Sequence, residues 1–515
     1  MVADAPQLLP DASLLGSTPD RDRQRAWFAL ALPVLMAVQM TLVPLIGKTA
    51  IAPILLTLAP LVLWSAFRDT ERALYVYIAW CWMDGTIRGL VDQNAVAIVA
   101  RDLVLGIVLV GWGFQRLQTR SQDPLRCPPG TVLVALFVIN CLLQLANPYS
   151  LGVVQSIGGL KLHLAAIPLF FIGYDVIRRR EQVRALFVFL TLATLVVGLV
   201  SFVQYLGGQD WTWAHFPGTK EVISQSMRSM TKGTQISEIA SFKPPGTTGF
   251  GGGTSIFPAF VFPLTFALAM LPDDLKFSSR IKLCFYAILM VFIVIILINS
   301  VRSSLVIAFS GVAVTVIFIG SRLRARMRTP LIACVLLAFV AWTVSQSVSQ
   351  GGVTNRFAST LSNPANALHD DRRTFFDDGL NIMSLSPFGV GLGRTGAAGA
   401  RLGGGSDTLS FMPFSEAYLG TIIFETGILG AILITGILGM FLVRGYWILA
   451  KFQESDNRFL VASILSVFVV IFANFFVSPI LLGPPGTVLF WLLGGAMLRV
   501  FAEPVVRNKF FTPAL

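Results

Sequence analysis

Residues 412 to 433 read "MPFSEAYLGTIIFETGILGAIL", a run apolar enough to enter a bilayer although it contains two carboxylates. Glu416 stands at the start of this run and Glu425 lies well inside it. A carboxylate at membrane depth is costly, so it usually faces the protein interior or an aqueous cavity. Acidic side chains also favour the first turn of a helix. The pattern predicts a membrane helix here, with Glu416 as a helix-initiating or functional residue and Glu425 as a buried structural or catalytic one.

The whole chain has the composition of an integral membrane protein. Of its 515 residues, 55% are hydrophobic and 13% are charged, and the mean hydropathy is +0.73. Apolar runs close to the roughly 20 residues that cross a hydrocarbon core recur along its length. They predict an all-α polytopic membrane protein with about 12 to 14 transmembrane helices. Residues 73–115 are ambiguous, because this stretch could instead form a loop or a re-entrant segment.

The distribution of basic residues predicts the orientation. Clusters of Lys and Arg lie between the apolar runs, and in an alternating topology they fall on one side, which is cytoplasmic by the positive-inside rule. We therefore expect a cytoplasmic tail over residues 1–26, a transmembrane domain over 27–502 and a cytoplasmic tail over 503–515. The net charge of +12 then reflects orientation and does not indicate nucleic acid binding. The clusters are Arg116, Arg120 and Arg126; Arg178, Arg179, Arg180 and Arg184; Lys276, Arg280 and Lys282; and Arg322, Arg324, Arg326 and Arg328.

Two long loops on the outer side of the membrane are predicted, near residues 208–254 and 348–414. Long loops in a compact protein are usually functional or disordered, and these contain Arg, aromatic residues and Gly together. The segment 371–393 has helical spacing, as expected of a helix on the outer leaflet or of a short soluble cap. "GVGLG" at 389–393 is interpreted as a flexible turn after that helix and not as a nucleotide loop, because no strand precedes it. The same topology puts all three histidines outside: His163, His215 and His369.

Several outer cations are candidates for binding an anion. Arg302, in "INSVRSSLV", either anchors to lipid headgroups or binds phosphate together with the neighbouring serine hydroxyls. Lys243 lies in a Gly-rich loop, where a solvated lysine is the simpler interpretation. Arg372 and Arg373 stand among four aspartates and form either local ion pairs or an anion clamp. The five cysteines have no CxxC spacing and indicate neither a disulfide framework nor a metal site.

Four stretches in this order resemble the O-antigen ligase and O-antigen polymerase superfamily of bacterial envelope glycosyltransferases. They are "KPPGTTGFGGGTSIFPAF", "INSVRSSLVIAFSG", "DRRTFFDDGLNIMSLSPFGVGLG" and "FSEAYLGTIIFETGILG". The resemblance covers roughly residues 150–500. It implies about a dozen helices, cytoplasmic termini and a large periplasmic loop just before the last three helices.

The resemblance also implies a reaction. Such proteins transfer a glycan from a polyprenyl pyrophosphate carrier to a sugar hydroxyl at the periplasmic face, without a nucleotide sugar, a cofactor or a metal. The partners would be a lipid-linked oligosaccharide donor, a saccharide or lipid-saccharide acceptor and membrane lipids. Cations must stabilise the departing pyrophosphate and a base must accept the proton of the attacking hydroxyl. Arg302, Arg373, Arg372 and Lys243 are the cations that the resemblance selects.

The base is the point at which this chain differs from the family. Ligases of the family commonly carry a His-Asn pair before the helix with the pattern E-x-G-hydrophobic-hydrophobic-G, and the corresponding residues of this chain are Ser415 and Glu416. Glu416 or the loop residue His369 would have to act as the base. The substitution favours a polysaccharide polymerase, or another transferase that uses the same carrier, over a strict lipid A ligase.

Two other classes of protein remain open from the sequence. A transporter would explain many helices with intramembrane Glu residues, although the sequence shows no internal repeat and no pair of matching broken helices. A non-catalytic assembly subunit would tolerate changes at the outer cations.

Overall fold

The fold is known from a computed structural model. It describes residues 19–91, 95–119, 126–150, 152–216, 218, 220, 242–248, 253–271, 279–299, 301–319, 386–394, 417–452, 456–476, 478 and 480–501. The predicted span near 330–347 lies outside these residues.

Helices make up almost all of the described chain, and it contains no strand. The helices are α1 (Pro19–Ile46), α2 (Ile51–Arg68), α3 (Thr70–Leu90), α4 (Ala95–Thr119), α5 (Thr131–Leu143), α6 (Val153–Leu164), α7 (Pro168–Val176), α8 (Arg180–His215), α9 (Ile256–Met270), α10 (Ser279–Ile298), α11 (Arg302–Phe318), α12 (Tyr418–Lys451), α13 (Asp456–Asn474) and α14 (Gly486–Val500). Seven helical segments of this part of the chain are long and apolar enough to cross a membrane. The prediction of an all-α membrane protein is confirmed.

The stretch at 73–115, for which a loop was also considered, folds mainly as the two helices α3 and α4. Its polar residues explain why the sequence was ambiguous, because Asp84, Arg88, Arg101 and Asp102 interrupt the apolar pattern. These charges are tolerated within the helices because they pair with one another across α3 and α4.

One end of the bundle collects Arg–Asp pairs and is called the basic end here. Arg116, near the end of α4, bonds Asp175 of α7, and Arg178 Nη2 lies 3.1 Å from the other oxygen of the same carboxylate. Arg25 Nε of α1 lies 2.8 Å from Asp69 Oδ2, between α2 and α3. Arg116 and Arg178, one from each of the first two basic clusters of the sequence, therefore lie at the same end. The opposite end, where α3 ends and where α9, α11 and α12 begin, is called the loop end.

Aromatic and glycine residues pack the middle of the bundle. The Phe441 ring stacks on Phe468 with centroids 5.2 Å apart and contacts Phe490 edge-on at the same distance. Gly495 of α14 lies against the backbone of α7, and a Cβ there would overlap the carbonyl oxygen of Phe170. This close contact fixes α14 against α7, because small residues let membrane helices approach backbone to backbone.

Three of the described membrane helices are interrupted: α8 leaves helical geometry at Gly208, and two more interruptions lie at the candidate site. The chain leaves helical geometry at residues 165–167, between α6 and α7, and Pro168 starts the second part. In α12 the interruption is at Gly427, with φ +74° and ψ −177°, a conformation open essentially to glycine alone. The spans at 160–176 and 415–442 were predicted as continuous helices, and this continuity is wrong. Each interruption frees backbone groups, and the one in α12 organises the candidate site.

Candidate functional site

Four of the six residues predicted for the site lie outside the described residues: Glu416, His369, Arg372 and Arg373. Arg302 is the first residue of α11, and only its backbone is described. Lys243 lies in the described segment 242–248 and is half-buried, with interactions of its own. Lys243 is therefore partly withdrawn from solvent.

The segment that carries Lys243 is packed onto the end of α3. The Thr247 hydroxyl donates to the carbonyl oxygen of Trp82 at 2.5 Å, and the Thr86 backbone N–H donates to the carbonyl oxygen of Thr247 at 3.1 Å. Gln204 of α8 holds the same segment by bonding both backbone groups of Gly246. Lys243 is thus fixed at the loop end beside α3.

The segment that carries Arg302 joins the same end of the molecule. The Thr254 hydroxyl donates to the carbonyl oxygen of Pro245, which ties the start of α9 to the 242–248 segment. The Ser255 and Ser304 hydroxyl oxygens lie 2.9 Å apart, which ties the start of α9 to the first turn of α11. The structure therefore brings together the backbone segments of Lys243 and Arg302.

The motif "GVGLG", predicted as a flexible turn after a helix, forms a turn that is mostly buried. Residues 386–394 enter the interruption of α12, where the Val390 N–H donates to Phe424 O at 2.9 Å and the Ile428 N–H donates to Pro387 O at 3.1 Å. Leu392 is fully buried. The turn takes the place of the helical hydrogen-bond partners that the interruption removed.

Glycines allow this insertion at the points of closest approach. A Cβ on Gly427 would lie 2.5 Å from Pro387 O, and one on Gly389 would lie 2.6 Å from the Gly427 nitrogen. Both residues have positive φ, of +74° and +83°. From the far side, the amide of Gln144 bonds Phe388 O at 2.8 Å and that of Asn147 bonds Gly389 O at 3.0 Å. The turn is therefore held between α12 and the chain that follows α5.

Glu425 has a partner that sequence reasoning missed. Its Oε2 lies 2.9 Å from Nε2 of His163, and the two side chains are 2% and 0% exposed. The predicted burial of Glu425 is confirmed. The prediction that His163 lies outside is wrong, because it occupies the last turn of α6 and faces α12. The two residues form a buried dyad beside the inserted turn.

Buried polar atoms without a hydrogen-bond partner lie near the dyad, between α6 and the inserted turn. Within the described structure, three such buried atoms are Nδ1 of His163, Oγ of Ser156 and Nε of Arg394. Ser156 and His163 are two helical turns apart on one face of α6, and Gly159 between them lies against the backbone of Gly393. A buried polar atom left without a partner requires a physical explanation. This row of polar atoms indicates a place for a polar ligand or for water.

Arg394 is the cation of this region. It follows the turn directly and is half-buried, and no carboxylate pairs with it in the part of the chain described. Desolvation therefore lowers the pKa of its guanidinium from the ordinary value. An anionic ligand would supply the missing charge.

A second group of charges joins α3, α4 and α6 at the loop end. Arg88 Nη2 lies 3.0 Å from Asp84 Oδ2, and Arg101 Nη1 lies 3.6 Å from the same oxygen. Asp102 continues the group, since its Oδ2 lies 2.5 Å from Nζ of Lys161. Lys161 and His163 are two residues apart on α6, so this helix connects the charged group with the dyad.

A signal for both groups was present in the sequence. Lys161 and His163 stand in an otherwise apolar run, as do Asp84, Arg88 and Arg101, and charges inside membrane helices usually pair and mark functional sites. The sequence did not show which of these charged residues pair with one another. The two residues of the dyad are separated by 262 positions.

Comparison with known proteins does not assign this chain to a family. The chain matches no protein-family model, and no curated protein matches it. The class of the protein, an all-α membrane protein with a buried His–Glu dyad, therefore comes from its own residues.

Proposed function

We propose that this protein is a bacterial inner-membrane glycosyltransferase that moves a glycan from a polyprenyl diphosphate carrier to a sugar hydroxyl at the periplasmic face. The observation that carries the proposal is the His163–Glu425 dyad, with Nδ1 unpartnered in a region of unpartnered polar atoms. In this proposal the chain has about 12 to 14 transmembrane helices, cytoplasmic termini and a large periplasmic loop before the last three helices. The loop end is then the periplasmic end.

The dyad supports a base mechanism. An ionised carboxylate only accepts hydrogen bonds, so Glu425 selects the tautomer of His163 that carries its proton on Nε2. Nδ1 is then an acceptor for the proton of the attacking hydroxyl. The hydroxyl oxygen bonds to the anomeric carbon as the bond to the diphosphate oxygen breaks, and the imidazolium formed is stabilised by Glu425. His163 takes the role that the sequence assigned to Glu416 or His369, neither of which lies in the described residues.

The leaving diphosphate requires positive charge. Arg394 is unpaired within the described residues and adjoins the turn beside the dyad. Lys243 and Arg302 belong to segments packed together at the same end, and Arg372 and Arg373 precede the inserted turn in the chain. Guanidinium groups match phosphate oxygens in a bidentate manner, which supports a role in stabilising the leaving group.

The test is the conversion of a lipid-diphosphate oligosaccharide by purified protein. The wild type should give a ladder of longer glycans or a single extended product. His163→Gln should lower the rate by about 10²- to 10⁴-fold, the usual contribution of a general base. His215→Gln is the matched control, because His215 bonds the Trp211 carbonyl oxygen in α8 at 2.8 Å and stacks on the Trp211 ring. Equal rates for the two variants would refute the role of the dyad.

A proton-coupled transporter is the second candidate. Its supporting observation is the pair of interrupted helices, α6–α7 and α12, with an ionisable dyad between them, since interrupted helices are typical of transporter sites. This observation removes one argument that the sequence gave against a transporter. Solute uptake into proteoliposomes that depends on a pH gradient, without consumption of lipid-linked oligosaccharide, would select this function.

A further inference from the structure

We propose that the basic end of the bundle binds one anionic phospholipid, with its headgroup at Arg68 and its acyl chains along the contact between α2 and α4. This lipid site goes beyond the proposed function and does not depend on it. It lies on helices that contribute no residue to the His163–Glu425 dyad, at the opposite end of the bundle from the loop end.

Arg68 offers a positive charge to this lipid. It is the last residue of α2 and is exposed. The neighbouring Asp69 is occupied by Arg25, whose Nε lies 2.8 Å from Oδ2 and whose Nη2 lies 3.3 Å from Oδ1. Among the described residues, no carboxylate or other acceptor bonds the Arg68 side chain. A guanidinium group has five N–H donors and binds phosphate oxygens in a bidentate manner, so Arg68 is available for a lipid phosphate.

Aromatic side chains mark the headgroup level beside Arg68. Trp64 lies one turn before Arg68 on the same face of α2 and is 43% exposed. The guanidinium carbon of Arg72 stands 5.5 Å from the centroid of the Trp64 ring and 5.8 Å from that of Phe28. At about 1.5 Å per residue, Trp64 lies roughly 6 Å deeper than Arg68. Because tryptophan is enriched where headgroups meet hydrocarbon, this spacing fits a lipid phosphate at Arg68.

Exposed apolar side chains continue from Arg68 along the contact between α2 and α4. The Phe67 and Phe114 rings meet edge to face, with centroids 6.2 Å apart. One turn deeper, Leu63 of α2 and Val110 of α4 follow them. All four side chains are between 47% and 63% exposed. The acyl chains of a phospholipid can lie along this seam while its headgroup reaches Arg68.

The seam is a fixed surface, because the ends of α2 and α4 are held together. Gln115 Nε2 donates to the carbonyl oxygen of Ala66 at 3.0 Å, and Gln115 Oε1 accepts a hydrogen bond from the Thr70 hydroxyl at 2.8 Å. Gly111 of α4 lies against the backbone of Ala66, where a Cβ would overlap the carbonyl oxygen. A preformed surface binds its ligand with less ordering of the protein.

Charge complementarity selects the headgroup. Phosphatidylglycerol carries a net negative charge, whereas phosphatidylcholine carries its own cation beside the phosphate. A basic residue near the membrane surface increases the affinity for an anionic lipid about fivefold. Arg68 should therefore favour phosphatidylglycerol over phosphatidylcholine.

Simple snorkelling of Arg68 makes a different prediction. A snorkelling arginine keeps its charge among whichever headgroups surround it, and any arginine at the membrane surface does the same. A site built from Arg68 and the α2–α4 seam instead holds one lipid more tightly than the others. That lipid is lost when Arg68 is changed and kept when another exposed arginine is changed.

The experiment measures the Kd of dioleoylphosphatidylglycerol for the full-length protein, by native mass spectrometry in a mild detergent at low salt. Arg68→Gln should weaken binding of the tightest lipid about fivefold, and Arg68→Lys should retain most of it. Dioleoylphosphatidylcholine should bind the wild type about fivefold more weakly for the same reason. Arg444→Gln is the matched control, because Arg444 is also exposed but lies on α12, seven residues before its last residue.

A soluble probe separates the headgroup from the acyl chains. Glycerol phosphate carries the charge of the headgroup without the chains, and it should bind at least about tenfold more weakly than the lipid because it buries no apolar surface. Equal affinity would overturn the acyl-chain part of the proposal and leave an anion site.

Equal affinity of the wild type and Arg68→Gln for phosphatidylglycerol would overturn the site. An equal loss in Arg444→Gln would also overturn it, because net charge alone would then explain the binding. Equal binding of the two phospholipids would overturn the selection of the headgroup. No glycan donor is present in this assay, so a protein that binds phosphatidylglycerol through Arg68 but consumes no lipid-linked oligosaccharide retains the lipid site and loses the enzyme activity.

Discussion

Replacing Gly427 by alanine should expel the inserted turn from the interruption of α12. Gly427 has φ +74° and ψ −177°, and a Cβ there would lie 2.5 Å from Pro387 O and 2.6 Å from the carbonyl carbon of Phe388. Both clashes are with backbone atoms, so no side-chain rotation can relieve them. The turn or α12 has to move.

The magnitude follows from two contributions. The backbone conformation itself costs a non-glycine residue about 1–3 kcal/mol. Displacing the turn also breaks the hydrogen bonds from Val390 to Phe424 and from Ile428 to Pro387, each worth about 1 kcal/mol net. The loss of roughly 3–5 kcal/mol is a large part of the 5–15 kcal/mol that is typical of a folded protein.

The assay is thermal unfolding of purified protein, with glycan synthesis measured in parallel. Gly436→Ala is the matched control on the same helix, because Gly436 is exposed and a Cβ there meets no atom within 4 Å. Alanine at an ordinary helical position is favoured over glycine by about 0.5–1 kcal/mol, so the control should be neutral or stabilising. Gly427→Ala should lower both the unfolding temperature and the activity. If the two variants unfold at the same temperature, the inserted turn does not hold α12 as described.

Three further results are expected. Gly393→Ala should disturb the other side of the turn, because a Cβ there would overlap the Gln155 carbonyl oxygen and the residue has φ +76°; unchanged thermal unfolding would contradict this. Asp175→Asn should lower stability at the basic end by about 3 kcal/mol or more, because two arginines lose a shared, nearly buried carboxylate; glycan synthesis below the unfolding temperature should persist. Arg302→Ala should abolish long glycan at unchanged protein level in the membrane, whereas Glu416→Gln should retain it because His163 is the proposed base; normal chain length in the Arg302→Ala variant would exclude that residue from the site.

The dyad offers another explanation for the missing His-Asn pair of the ligase family. From the sequence alone, Glu416 or His369 was expected to act as the base in place of the histidine of that pair. The structure offers His163 from a transmembrane helix, with a carboxylate that fixes its orientation. A His163→Gln variant that remains active while Glu416→Gln is inactive would favour the original interpretation.

Much of the architecture could be predicted from the sequence. Hydrophobic run length fixed the class and most helix positions, because a membrane helix must satisfy its own backbone and therefore needs a long apolar segment. The burial of Glu425 followed from the cost of exposing a carboxylate to lipid. Small residues beside it suggested close packing, although Gly427 serves to break α12 and admit the turn rather than to pack two helices.

The tertiary structure alone decided which charges meet. His163 and Glu425 are 262 positions apart, and the 386–394 turn bonds residues of the α5–α6 connection more than 200 positions earlier. Local periodicity carries no information on such pairs, because they depend on which helices become neighbours when the bundle forms. The sequence determined that this chain is a membrane protein with costly charges inside its helices. Packing determined that one pair of those charges forms a buried dyad and that another group forms ion pairs between α3, α4 and α6.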